Sequence, residues 1–251
     1  MKTIAYTALH YGKDYLTAAI RSVIDAVDEY HVLYTPTGSH GHYSAIRCPE
    51  SREELYEIAR QAAGDKFHWH EGAWSWEGQQ RDAIHTLVPD ADVVLVLDAD
   101  EVWSKRLAEF FVVSARTGTM RGERYRVPII HYWRSFHRCV LHDPAYPERL
   151  ILPKNKGGGS GTVTIPDVRP IHHFGYAQRP EIVEYKQHVH GHKGEWRRDV
   201  DWFRERFMAN AQHDCHPVGS DYWNPEQVDP FTLGLPEWMR EHPYASMGVI
   251  E

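Results

Sequence analysis

The sequence predicts an α/β protein with a mostly parallel sheet flanked by helices, followed by an α+β half. Three observations carry this. Short apolar runs alternate with amphipathic stripes through the first 120 residues, a pattern that builds parallel sheets covered on both faces. One run, "VVLVL" at 93–97, is apolar without interruption, as a strand buried on both faces requires. It ends in "DADE" (98–101), two carboxylates one residue apart with a third behind them, where a turn residue is usual.

The elements follow in order. "KTIAYT" (2–7) reads as the first strand. "YLTAAIRSVIDAVDEY" (15–30) places Leu16, Ile20, Val23, Ile24 and Val27 on one helical stripe. "HVLYT" (31–35) reads as a second strand before the turn-rich "PTGSHGH". In "SREELYEIARQAAG" (51–64), Ser51 caps a helix, Glu54 takes the capping-box position and Gly64 ends it. "FHWHEGAW" (67–74) is a third strand and loop. "EGQQRDAIHTLV" (77–88) is a short helix, and "SKRLAEFFVVSARTG" (104–118) is the helix behind the acidic cluster.

The second half changes character. "RYRVPIIHYW" (124–133) reads as a strand, "PKNKGGGSGT" (153–162) as a Gly-rich basic loop, and "RPIHHFGYAQRPE" (169–181) as turn-rich. Two helices follow, "PEIVEYKQHV" and "WRRDVDWFRERFMANA", the second with Trp196, Val200, Phe203 and Phe207 on one face. The chain from about His213 reads as irregular. Residues 1–120 form one half and 121–251 the other half of a single domain.

Composition narrows the classes. The chain has 251 residues, 42% apolar and 25% charged, within the range of a soluble globular enzyme. A net charge of -7 provides no general attraction to nucleic acid or an anionic membrane. Cys48, Cys139 and Cys215 fit neither a disulfide framework nor a CxxC metal site. No signal-peptide core and no membrane span is visible, so the expected location is the cytoplasm. Eighteen His, nine Trp and fourteen Tyr are many for this length. They suit sugar or base binding, although large aromatics also fill cores.

Alternation along an extended chain points Asp98 and Asp100 the same way. Two close carboxylates repel unless a cation lies between them. Hard Mn²⁺ or Mg²⁺ suits that arrangement and in turn binds phosphate oxygens. The acids also lie beyond the carboxyl end of a strand, where open α/β sheets bind ligands. The competing reading is a solvated turn with helix-capping acids.

Two segments extend the pattern. "LHYGKDYLTAAIRSVIDAVDEYHVLYTPTGSHG" (9–41) and "GQQRDAIHTLVPDADVVLVLDADEVW" (78–103), with "ERLIL" (148–152) and "HHFGY" (172–176) behind them, resemble the family-2-like GT-A glycosyltransferases over roughly residues 1–180. The resemblance implies a GT-A (Rossmann-like) fold and transfer of a sugar from a nucleotide-diphosphate sugar to an acceptor hydroxyl, with Mn²⁺ or Mg²⁺. It implies Asp98, Asp100 and His173 as metal ligands, His172 standing second to His173. It places Thr7, Leu9, Thr35, Arg81, Asp98 and Ala99 at the donor. The chain departs from the family where Tyr11 and Lys13 replace an Asn–Glu pair, where Pro36 replaces the acid that contacts the nucleobase, where Gly41 replaces an Asp, and where Asp82 replaces an Asn.

Catalytic candidates are Asp143, as the acceptor-side base, and Glu101, which either holds its neighbours or caps the next helix. Asp201 and Glu181 compete with Asp143. "HVHGH" (188–192) offers a separate zinc reading if extended. The sequence leaves four acceptors open: a saccharide, a lipid-linked glycan, a protein or a hydroxymethylated DNA base. Rival readings are a nucleotidyltransferase and a non-catalytic nucleotide- or sugar-binding protein on a degenerate glycosyltransferase fold.

Overall fold

The computed structural model of the chain describes residues 1–104, 106–120, 122–141, 143–144, 146–153, 161–191, 193–196, 200–213, 215–218 and 223–246. The first half runs β1 (Thr3–Leu9), α1 (Lys13–Val23), β2 (Glu29–Tyr34), α2 (Arg52–Ala63), β3 (Phe67–Glu71), α3 (Glu77–Asp82), α4 (Ile84–Leu87), β4 (Val93–Leu97), β5 (Glu101–Trp103) and α5 (Leu107–Arg116). The second adds β6 (Arg124–Arg126), β7 (Ile129–Trp133), β8 (Arg138–Val140), β9 (Glu148–Ile151), β10 (Thr162–Thr164), β11 (Ile171–Tyr176), α6 (Pro180–Val189) and β12 (Glu226–Gln227).

A seven-stranded sheet has the order β10-β6-β9-β4-β1-β2-β3. Its β4-β1-β2-β3 part is parallel, and β9 joins β4 antiparallel. Val93, Leu95 and Leu97 face one core with Leu16, Ile20, Leu55 and Phe111, while Val94 and Val96 face another with Ile4, Leu33, Ile84 and Val88. Burial on both faces is why this run is apolar at every position. A five-stranded sheet, β12-β8-β7-β11-β5, stands beside it. Among the described residues, no helix is long and apolar enough to cross a membrane.

Local signals hold where the chemistry is local. Ser51 and Glu54 form the capping box, and Gly64 ends α2 at φ 58°. Several boundaries differ from expectation. The helix expected over 15–30 stops at Val23, because Glu29 and Tyr30 already pair with β1 and Thr3 N–H donates to Asp28 Oδ2 at 2.8 Å. The helix expected over 77–88 divides at Ala83.

The strand expected over 124–133 divides before Pro128, which has no N–H for a ladder; β6 enters the large sheet and β7 the small one. The segment read as turn-rich contains β11, an inner strand of the small sheet. In the last expected helix, Trp196, Phe203 and Phe207 are buried and a π-helical turn spans Phe203–Met208; residues 197–199 lie outside the described residues. So do 154–160 of the Gly-rich loop.

Candidate functional site

The acidic turn joins the two sheets. The chain leaves the large sheet at Leu97 and enters the small one at Glu101, so Asp98, Ala99 and Asp100 lie at the junction. Gly12 supports this turn from below. At φ 135°, a Cβ there would lie 2.5 Å from Ala99 Cβ. Gly12→Ala therefore strains its own backbone and pushes the acidic turn. The expected loss is about 1–3 kcal/mol in a urea titration, and an unchanged midpoint would show that the contact gives way.

Every carboxylate of the turn meets a cation, and Asp98 and Glu101 share Arg149. Asp98 takes Arg81 on Oδ1 and Arg149 on Oδ2, the latter at 2.7 Å. Burial opposes its charge, but the two guanidinium groups outweigh burial and hold its pKa well below the ordinary value. Glu101 is fully buried and receives Arg149 Nε at 2.8 Å and Nη2 at 2.5 Å. Burial pushes its pKa up to about 7, and Arg149 limits the rise. Asp100 accepts Gln178 Nε2 at 2.9 Å, with Lys186 Nζ 3.5 Å from the same Oδ2. Burial works against its charge too, and Lys186 and His173 lower its pKa below the ordinary value.

On its other side Asp100 Oδ1 faces His173 Nε2 at 3.5 Å. His173 Nδ1 is 2.7 Å from His131 Nδ1, and His131 Nε2 is 3.0 Å from Asp143 Oδ2. His131 Nε2 stands beside the Asp143 carboxylate without a hydrogen bond to it, and the contact between the two Nδ1 atoms fits either tautomer. In the tautomer in which His173 Nδ1 donates to His131, the bare Nε2 of His173 points at the Asp100 carboxylate. Two lone-pair groups at that distance favour a cation between them. Burial lowers the His173 pKa to about 3, so protonation does not fill that role at neutral pH. Asp100 Oδ1 and His173 Nε2 therefore fit adjacent positions on a divalent ion.

Two clefts meet here. The first lies beyond the carboxyl ends of the parallel strands and is lined by Ala8, His10, Tyr11, Thr35, Trp74 and Trp76, then by Asp100 and Lys186. The second is lined by His131, Asp143, Tyr146, Tyr176, Trp196 and His216. Asp98, His173 and His190 line both.

The expected residues divide accordingly. Thr35, Asp98, Ala99, Asp100 and His173 line the first cleft, and Asp143 the second. Thr7, Leu9 and Arg81 do not line the first cleft: Thr7 is buried against the Tyr30 hydroxyl, Leu9 packs in the core, and Arg81 pairs with Glu77 and Asp98, leaving Ala8 and His10 at the surface of the cleft. Asp98, expected on a metal, has both oxygens on guanidinium groups. Glu101, expected among the catalytic groups, is buried in β5 and holds Arg149; it does not cap α5, which begins behind Arg106. Strand alternation sends His172 the other way from His173, onto Ser104 and Tyr132. Glu181 and Asp201 line neither cleft; they pair with Arg179 and with the turn at Arg204. In "HVHGH", His192 lies outside the described residues.

Other site residues escaped the sequence reading. Glu50, from a separate segment, accepts Gly12 N–H at 2.7 Å and Lys13 N–H at 3.0 Å through Oε2 at the start of α1. Gln80 donates to the carbonyls of Leu9 and Leu33 and ties β1, β2 and α3 together. Lys186 had one visible signal: it interrupts the buried stripe Ile182, Val183 and Val189 of α6.

No family model and no curated protein matches the chain. Among solved structures it is similar to glucosyl-3-phosphoglycerate synthase from Mycobacterium tuberculosis in complex with Mg²⁺ and uridine-diphosphate, at 12% identity and TM-score 0.42 over 68% of this chain and 71% of that one. It is similar to S. aureus TarS at 8% identity and TM-score 0.44, over 75% of this chain and 64% of that one. A third is 4-diphosphocytidyl-2C-methyl-D-erythritol synthase from Anaerococcus prevotii, at 10% identity and TM-score 0.42, over 74% of this chain and 99% of that one. The chain spans 42% of a further match, a mycobacterial protein. These likenesses, all at TM-scores below 0.5, assign neither a family nor a substrate to the chain.

Proposed function

We propose that the protein transfers a glycosyl group from a nucleotide-diphosphate sugar to an acceptor hydroxyl. The observation that carries this reading is the shared wall: two clefts meet at Asp98 and His173. In the first, Trp74, Trp76 and Tyr11 offer flat faces to a nucleoside, and Thr35 and Thr37 offer hydroxyls. The diphosphate lies toward Asp100, His173 and Lys186. Mn²⁺ or Mg²⁺ would be held by Asp100 Oδ1 and His173 Nε2, and when bound it supplies positive charge to the leaving diphosphate.

The chain's own residues do the rest. Arg81 and Arg149 fix the Asp98 carboxylate against the donor. Lys186 brings a fixed cation to the phosphate side. In the second cleft, Asp143 takes the proton of the acceptor hydroxyl; it is 3.0 Å from His131 Nε2 and accepts Trp223 Nε1 at 3.4 Å. Trp196, Tyr146 and Tyr176 provide apolar faces suited to a saccharide. One observation favours a second form of the same reaction, without metal: the carboxylates of the turn are already matched by Arg81, Arg149 and Lys186.

Thermal stability with UDP, GDP, CDP and dTDP, each with Mn²⁺ or with EDTA, tests both. One nucleotide is expected to stabilise the protein only with metal, by about 2.7 kcal/mol at a hundredfold excess over its dissociation constant. Equal stabilisation in EDTA selects the Lys186 form. No stabilisation by any nucleotide overturns the donor site.

A further inference from the structure

A second polar cluster lies at the other end of the large sheet. There β2 and β3 run parallel, with His31 level with His68 and Leu33 level with His70. Alternation along the strands puts Tyr30, Val32, Phe67 and Trp69 into the core on one face. The opposite face receives Glu29 and His31 from β2, and His68 and His70 from β3. Glu29 and His68 stand at the amino ends of their strands, whereas the acidic turn stands at the carboxyl end of β4.

The side chains converge. His31 is 3% exposed, with Nε2 3.0 Å from Glu29 Oε2 and Nδ1 3.0 Å from His70 Nε2. The His31 and His68 rings stack at 4.6 Å and 13°. One ligand atom each from Glu29, His31 and His68 lies within 4.8 Å of the others. We infer that Glu29, His31 and His68 form a binding site for a divalent ion of the zinc class, with His70 orienting His31 through its second nitrogen.

The donor set suits that ion. Two imidazoles and one carboxylate select zinc-like ions over Mg²⁺ or Ca²⁺. Tetrahedral bonds of about 2.0–2.1 Å accept three protein ligands and leave a position for water. The His31–Glu29 pair opens only slightly to admit the ion. Lys2 Nζ is 3.0 Å from Glu29 Oε1, the oxygen the site leaves unused, and steadies the carboxylate from behind. His70 on the far nitrogen of His31 is the outer partner that ligating histidines usually have. A plain hydrogen-bonded row explains Glu29, His31 and His70. It gives no role to His68, which is exposed and stacked over His31.

Calorimetric titration of the full chain with ZnCl₂, after EDTA treatment and dialysis, tests the site. The wild type is expected to bind one ion that His68→Ala and Glu29→Gln each weaken at least tenfold. Asp100→Asn is expected to retain it, which separates this site from the acidic turn. His68 is exposed, so its variant keeps the fold, verified by circular dichroism. The proposal is overturned if the wild type binds no zinc, if His68→Ala binds it with unchanged affinity, or if Asp100→Asn alone abolishes binding.

Discussion

Asp100→Asn is expected to lower kcat/KM for sugar transfer by about 10²–10³-fold, the loss typical of removing one preorganised charge contact at a reacting group. The substitution keeps the shape of the side chain and an oxygen for Gln178 Nε2. It removes the charge that faces His173 Nε2 and Lys186 Nζ. Lys186 keeps the Gly175 carbonyl as an acceptor at 3.4 Å, so the fold is expected to persist. The Mn²⁺-dependent part of nucleotide stabilisation should vanish with activity. A variant that turns over at the wild-type rate removes Asp100 from the reaction.

Arg149→Met should be the most destabilising single change at the site. Removing one partner of a buried ion pair costs about 3–5 kcal/mol, because the other charge stays buried without compensation. Here that charge is Glu101, which is fully buried. The loss depends on pH, and its sign follows from Glu101. Burial raises its folded pKa to about 7, above its ordinary 4.5. A carboxyl with a raised folded pKa contributes stability that is full below the unfolded value and is lost as pH rises through the folded one. Without Arg149 the folded pKa rises further, so the deficit is larger at pH 8 than at pH 6. Asp98 has the opposite sign: its lowered pKa contributes stability above the ordinary value of 3.8 that is lost in acid. Urea titrations at the two pH values measure the effect. Adding Glu101→Gln to Arg149→Met should recover much of the loss at pH 8. A deficit under about 1 kcal/mol, equal at both pH values, would show that Glu101 is not held by this pair.

These two residues differ in how legible they were. Asp100 announces itself, because two acids behind an unbroken apolar strand have few structural uses. Arg149 sits in "ERLIL", a segment of the resemblance, but nothing in that segment says which acid its guanidinium meets. Its role exists only because β9 lies beside β4. The same holds for Glu50, which acts on the first turn of α1 from a separate segment.

By itself the sequence determined the parallel core, the capping box at Ser51, the helix of Lys186 and the acid pair at the end of β4. These rest on periodicity, caps and side-chain alternation, which act within a few residues. The tertiary structure alone decided which cation meets which acid. Arg149 reaches Asp98 across 51 residues and Lys186 reaches Asp100 across 86. It also decided that Thr7 and Leu9 turn inward, and that the "HHFGY" segment is a strand carrying His173 to the cleft and His172 to the core. Those outcomes depend on strand order and sheet pairing. No local pattern encodes them, because a side chain's partner is set by the element that packs against it.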